Sequence, residues 1–116
     1  MKVIIAGSRS ISDSFIVHTI IDNFDLFDNI TEVVSGKCPS GVDKLGEEWA
    51  EANDRPVKLF PADWKTYGKG AGYKRNQEMA EYAEALLAIW DGESKGTGHM
   101  IDIARREGLL VEVVVL

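Results

Sequence analysis

Apolar and polar positions alternate along the chain in two rhythms. Nearly unbroken apolar runs stand at 2–6, 31–35 and 85–90, and further β-rich runs at 56–60 and 109–116. Between them, apolar residues recur with helical spacing. Residues from Ser12 or Asp13, either a good N-cap, to about Phe27 predict a first helix, with Phe15, Ile16, Thr19, Ile20, Asn23 and Phe24 along one side. Residues 41 to about 53 predict a second, with Val42, Leu45, Trp49 and Ala52 on one face. Residues 72–84 predict a third, turning Met79, Ala80 and Ala83 toward a core. Residues 96–107 predict a fourth, followed by Gly108 where a C-cap glycine belongs. Residues 61–70 read as loop.

Strands without polar alternation suit a parallel sheet covered by helices on both faces. Five strands alternating with about four helices therefore predict a doubly wound α/β domain with a mainly parallel sheet. Ligands of such sheets bind outside the carboxyl ends of the strands, near the switch in strand order.

Composition narrows the partners. At 116 residues the chain is read as one domain, 1–116, and its 45% hydrophobic content is too high for a disordered tail. Thirteen basic against nineteen acidic residues give a net charge of -6, which argues against a nucleic-acid partner. One cysteine forms no internal disulfide, and two histidines far apart in sequence argue against a metal site, so no metal or cofactor is expected. No apolar run approaches the roughly 20 residues of a membrane span. The run after Met1-Lys2 is also too short for a signal peptide, so a cytoplasmic, reducing location and no membrane partner are expected.

The eleven glycines sort by position. Nine lie between a predicted strand and the first turn of the next helix, on the edge where a ligand binds; only Gly46 and Gly108 lie elsewhere. Four loops result. In the first, Gly7 lets the backbone approach a ligand, Ser8 and Ser10 offer hydroxyls, and Arg9 offers a fork for phosphate or carboxylate. A tight turn with a solvated arginine fits the same residues. The second runs from Ser35-Gly36 to Gly41-Val42-Asp43 and opens a helix, an anion-binding geometry, but lacks the Gly-Lys-Ser/Thr ending of a Walker loop. Asp43 there also suits simple compensation of the helix dipole, and Cys38 reads as an incidental small residue.

The third loop inverts the sign of the chain. From Lys65 to Arg75 there are four basic residues and no acidic one, interleaved with Gly68, Gly70 and Gly72. Lys69 and Gly72 fit a phosphate cradle, and Arg75 and Asn76 fall where a helix begins; a solvated lid is the alternative. In the fourth loop, Ser94, Gly96 and Thr97 meet a helix N-terminus, Asp91 suits ribose hydroxyls, and Gly92 turns the chain. Trp90 suits either a base or the core, and His99 reads as a surface or capping residue.

With these loops in hand, the chain resembles the SLOG superfamily, the Rossmann-like fold shared by DprA and the Lonely-guy proteins, and within it the small YspA/cpYpsA-related SLOG family. The residues carrying this are Gly7-Ser8-Arg9, Gly36 through Gly41-Val42-Asp43 with Trp49-Ala50, Pro61-Ala62-Asp63-Trp64, Gly68 to Gly72 with Arg75-Asn76 and Met79, and Trp90 through Thr97. The resemblance implies a site for a nucleotide or nucleotide-derived, phosphorylated ribose-containing ligand, built from these loops and acting as a sensor or sequestering module. Under it Arg9, Lys69 and Arg75 neutralise phosphates, Asp91 takes ribose, and Trp64 or Trp90 stacks on the base. The alternative it implies is a nucleoside 5'-monophosphate phosphoribohydrolase. Lonely-guy proteins use a glutamate in a Gly-Gly-x-Gly-Thr-x-x-Glu motif and an arginine on the preceding helix. Arg75 fits the arginine, but Met100 stands in the glutamate's place. Only Asp43, Asp91, Glu93 or Glu78 remain as substitutes. The superfamily commonly dimerises through helix faces, so a homo-oligomer is expected, with Phe15, Ile16 and Met79 suited to core or interface alike.

Overall fold

The computed structural model describes residues 1–24 and 27–116. Five strands, β1 (Lys2–Gly7), β2 (Glu32–Ser35), β3 (Val57–Leu59), β4 (Ala85–Trp90) and β5 (Leu110–Val115), form one sheet in the order β3-β2-β1-β4-β5. Every pairing is parallel, with Val3 opposite both Val33 and Ala85. The chain winds outward from β1 through β2 to β3, then returns to lay β4 on the other side of β1. The switch in strand order therefore lies between β1 and β4, and the crevice opens beyond Gly7 and Trp90.

Helices α1 (Ser14–Asp22) and α2 (Val42–Ala52) cover one face, and α4 (Ala71–Tyr82) and α5 (Lys95–Arg106) the other. The strands feed both layers by alternation: Val3, Ile5, Leu87 and Ile89 pack with Val17, Ile21, Leu45 and Trp49, while Ile4, Ala6, Leu86 and Ala88 pack with Met79, Met100, Ile101 and Ala104. This is why the strand runs read as continuously apolar. Met79 is thus a core residue.

The structure corrects the predicted elements at four places. The first helix does not run to Phe27 as one piece. It starts after Asp13, whose carboxylate accepts from the Ile16 amide at 3.1 Å, and it stops at Asp22, where the Asn23 side chain turns back onto the Thr19 carbonyl at 2.8 Å. Residues 25 and 26 of that predicted helix lie outside the described residues, and Phe27–Asn29 form a 3-10 turn. The buried face of α1 is Val17 and Ile21, continued past its end by Phe24, whereas Phe15 is 78% exposed. A segment apolar nearly all round offers two faces at the same period, and the sheet selects one. On α2, Ala50 is buried in place of the exposed Ala52.

The 61–70 loop is also more ordered than its composition suggests. Asp63 caps a single helical turn, α3 (Trp64–Tyr67), by accepting from the Thr66 amide at 3.1 Å, and a 3-10 turn follows at Gly68–Gly70. The end of α5 is as predicted. Gly108 has φ +80°, its amide donates to the Arg105 carbonyl at 3.2 Å, and the Leu109 amide donates to that of Ala104 at 3.0 Å, a Schellman closure. No helix among the described residues is long and apolar enough to cross a membrane.

Candidate functional site

At the switch point the four loops enclose a cavity of about 560 Å³, a size suited to a small organic ligand. Twelve of the nineteen residues expected from sequence line it: Gly7, Arg9, Asp43, Trp64, Lys69, Gly72, Arg75, Asn76, Asp91, Ser94, Gly96 and Thr97. The other seven stand behind the wall and shape it. Ser8 is buried, and its hydroxyl accepts from the Asp91 amide at 3.0 Å. The Ser35 hydroxyl donates to Glu47 at 2.6 Å. Gly36 supplies a carbonyl to Arg75, and Gly41, at φ +76°, lies against the backbone of Ser8 and Arg9. Asp63 caps α3, Trp90 donates its indole N–H to the Ser94 carbonyl at 3.0 Å, and Gly92 takes the positive φ of the turn before α5.

The end of β1 is where glycine is obligatory. A Cβ on Gly7 would stand 1.9 Å from the Ile89 carbonyl oxygen, so β1 and β4 approach as closely as backbones allow. That closeness lets the first and fourth loops meet. Ser10 donates to Asp91 at 3.4 Å across the gap.

Arg75 is locked. Its Nη1 donates to the Gly36 carbonyl and to that of Phe60 at 3.5 Å, and its Nε donates to Asn76 Oδ1 at 3.0 Å. The rest follows from donor and acceptor logic. The Asn76 oxygen faces a guanidinium that only donates, so its amide nitrogen must donate to the Gly96 carbonyl (3.3 Å) and to His99 Nδ1 (3.1 Å). His99 therefore accepts, which requires a neutral ring. Burial, then the charge of Arg106, pushes its pKa below the ordinary value, in the same direction. Its ring also stacks on Tyr73 with centroids 4.1 Å apart. His99 is thus part of the network that holds Arg75, which its sequence position between Gly98 and Met100 did not reveal.

The two acids of the cavity differ. Asp91 accepts the amides of Glu93 and Ser94, both at 2.8 Å, and these bonds hold its carboxyl below the usual range. Asp43 is only 8% exposed. Burial, the largest influence, pushes its carboxyl up to about 6, and Glu47 adds to this; the Cys38 amide at 3.4 Å, the Arg75 charge and the Gly7 amide pull the other way. Of the four substitutes for the missing glutamate, Asp43 and Asp91 line the cavity, while Glu93 and Glu78 do not. Met100 also lines it and is buried.

The two helix N-termini at the cavity are occupied differently. At the start of α2, the Lys37 amide donates to Ser35 Oγ at 3.1 Å, the Cys38 amide to Asp43, and the Val42 amide to the Ser8 carbonyl at 3.4 Å. The chain's own groups thus use three donors of the second loop, although α2, like α5, has no side-chain cap. At α5 no side chain caps the first turn, whose amides have no intrahelical partner, and the Ser94 and Thr97 hydroxyls stand 3.4 Å apart beside it. The first turn of α5 is the more open of the two helix starts.

Sequence reasoning missed Cys38, Tyr73 and Met100 as lining residues, and it saw in Ser10 only a free hydroxyl. Ala6 was counted only as strand. Cys38 accepts from Arg9 Nε at 3.2 Å. Each of these lies within or next to a motif already chosen, so proximity in sequence was the available signal. Among the described residues no three of His, Cys, Asp and Glu stand close enough together to hold a metal ion.

A family model described as the YspA, cpYpsA-related SLOG family matches residues 1–67, which takes in β1 through α3. The second half of the site, from Gly68 onward, lies outside that match. No curated protein and no solved structure matches the chain.

Proposed function

The chain belongs to the YspA, cpYpsA-related SLOG family, and from that membership and its cleft we propose that it binds a nucleotide or nucleotide-derived ligand as a sensor or sequestering module. One observation carries this. In a chain of net charge -6, three cationic side chains, Arg9, Lys69 and Arg75, line one cavity together with an uncapped helix N-terminus. That combination favours a phosphate at the first turn of α5, where Gly96 and Thr97 supply amides and Ser94 and Thr97 supply hydroxyls.

Trp64 suits the base. It lines the cavity and is 54% exposed, so its ring is open to a ligand. Trp90 has no part in this reading, because it packs against Gly98 and is bonded to Ser94. Asp91 spends Oδ1 on the fourth loop and leaves Oδ2, which accepts from Ser10 at 3.4 Å, as the oxygen suited to a ribose hydroxyl.

The test is thermal. A phosphate-bearing nucleotide present at about 100 times its Kd adds about 2.7 kcal/mol and raises Tm by several degrees in a domain of this size. Nucleosides without phosphate should not. A panel of mono-, di- and cyclic nucleotides with ADP-ribose that moves nothing at millimolar concentration removes the proposal.

A second function is favoured by Asp43 alone. A carboxyl with a pKa of about 6 beside a fixed arginine suits N-glycosidic hydrolysis, in which a carboxylate activates water or supports oxocarbenium-like charge. Release of free base from AMP, lost in D43N, tests it. A cytoplasmic location and self-association through the exposed Phe15 and Ile16 of α1 complete the proposal.

A further inference from the structure

Asp43 is an unusual wall for an anion site. It is buried in the cavity that Arg9, Lys69 and Arg75 make attractive to negative charge, and it carries a negative charge of its own. No cation pairs with it directly: among the described residues the one ion pair is Lys74–Glu78, at 3.9 Å. Arg75 acts on it through space while spending its own donors on Gly36, Phe60 and Asn76. From α2 itself Glu47 repels it, held in place by the Ser35 hydroxyl. From the fourth loop, the carboxylate of Asp91 shares the cavity.

The cavity is small enough for charges within it to feel one another. A sphere of 560 Å³ is about 10 Å across, close to one Debye length at ordinary salt. An anion in the cavity shares its wall with Asp43 at a separation on the order of 10 Å. We infer that the cleft takes up its anionic ligand together with a proton, which Asp43 holds. This rests on the anion-binding function proposed above.

The direction follows from electrostatics. A second negative charge disfavours the ionised carboxyl. At about 10 Å and an effective dielectric of about 20, it tightens proton binding by roughly tenfold or more. Asp43 starts at about 6, so near neutral pH it is mostly ionised in the empty cleft and mostly protonated in the filled one. Coupling is reciprocal, so acid tightens the ligand as the ligand tightens the proton. His99 does not supply this response. Its pKa lies below the ordinary 6.5, so it stays mostly neutral from there to pH 8.

Inorganic sulfate is the probe, because its charge is fixed across this range. Its binding is followed by the amide NMR shifts of Gly96 and Thr97 between about pH 6 and about pH 8. The wild type should lose affinity by up to about tenfold per pH unit at the upper end. Calorimetry near pH 7 in buffers of different ionisation heat should show net proton uptake. D43N should bind with nearly constant affinity above about pH 6.5, and at pH 8 about tenfold tighter than wild type. If D43N does not fold, the carboxyl carbon shift of Asp43 in the wild type serves instead; its titration midpoint must rise when sulfate is added. Saturable binding with equal affinity across the range, or with proton release, overturns this inference and leaves the binding function standing. No saturable shift at any pH removes both.

Discussion

Replacing Asp43 by asparagine should stabilise the empty protein at neutral pH and leave it nearly unchanged in acid. The folded chain raises this carboxyl from 3.8 to about 6, chiefly by burying it. A folded pKa above the unfolded one means that the folded state holds the proton more tightly. The benefit of that proton is fully present below about pH 3.8 and is lost as pH rises through about 6. The gap of about two pH units, at about 1.36 kcal/mol each, makes the ionised carboxyl cost about 3 kcal/mol above pH 7. An asparagine amide resembles the protonated carboxyl in size and never ionises, so it avoids the loss. Urea unfolding of wild type and D43N at about pH 4 and about pH 7.5 measures this, provided the slopes agree. The variant should gain up to about 3 kcal/mol at the higher pH only. An equal gain at both, or a less stable variant at pH 7.5, refutes the reasoning.

Two further substitutions separate clamp from platform. Arg75→Lys keeps the charge but cannot satisfy Gly36, Phe60 and Asn76 from one ammonium, so it should cost about 1–3 kcal/mol in urea and weaken nucleotide binding at least about tenfold. Wild-type stability and affinity in this variant would contradict the clamp. Trp64→Ala removes an exposed ring, so stability should stay within about 0.5 kcal/mol while nucleotide affinity falls by about 1–3 kcal/mol and phosphate affinity does not change. Equal affinity for the nucleotide places the base elsewhere.

What the sequence conveyed well was layer order. Continuous apolar strands mean two covered faces, and β1 and β4 are covered by a layer on each side. It conveyed α1 poorly, because Phe15-Ile16-Val17 presents apolar side chains in every direction and no local rule picks Val17 over Phe15. The site was legible loop by loop, since glycine and charge mark each turn. Its internal wiring was not. Arg75 and Asn76 are neighbours in sequence, but the bonds that fix them reach Gly36, Phe60, Gly96 and His99, on three other segments. Only the sheet brings those segments together.

The same limit explains why the second and fourth loops looked alike as anion sites. Each is glycine-bounded and each opens a helix on the ligand edge. Hydroxyl and carboxyl groups separate them once folded. Ser35 and Asp43 turn inward and take the amides of Lys37 and Cys38, so the second loop spends two of its own donors ahead of α2. In the fourth, Asp91 takes the amides of Glu93 and Ser94 just ahead of the helix and leaves the first turn of α5 open. The cavity is thereby polarised: an uncapped helix start at the α5 end, a buried carboxyl at the α2 end, and Arg75 fixed beside them. Asp43 and Trp64 line the same cavity as that helix start. Under the proton-coupling inference, the charge of Asp43, and hence pH, bears on affinity for an anion in that cavity.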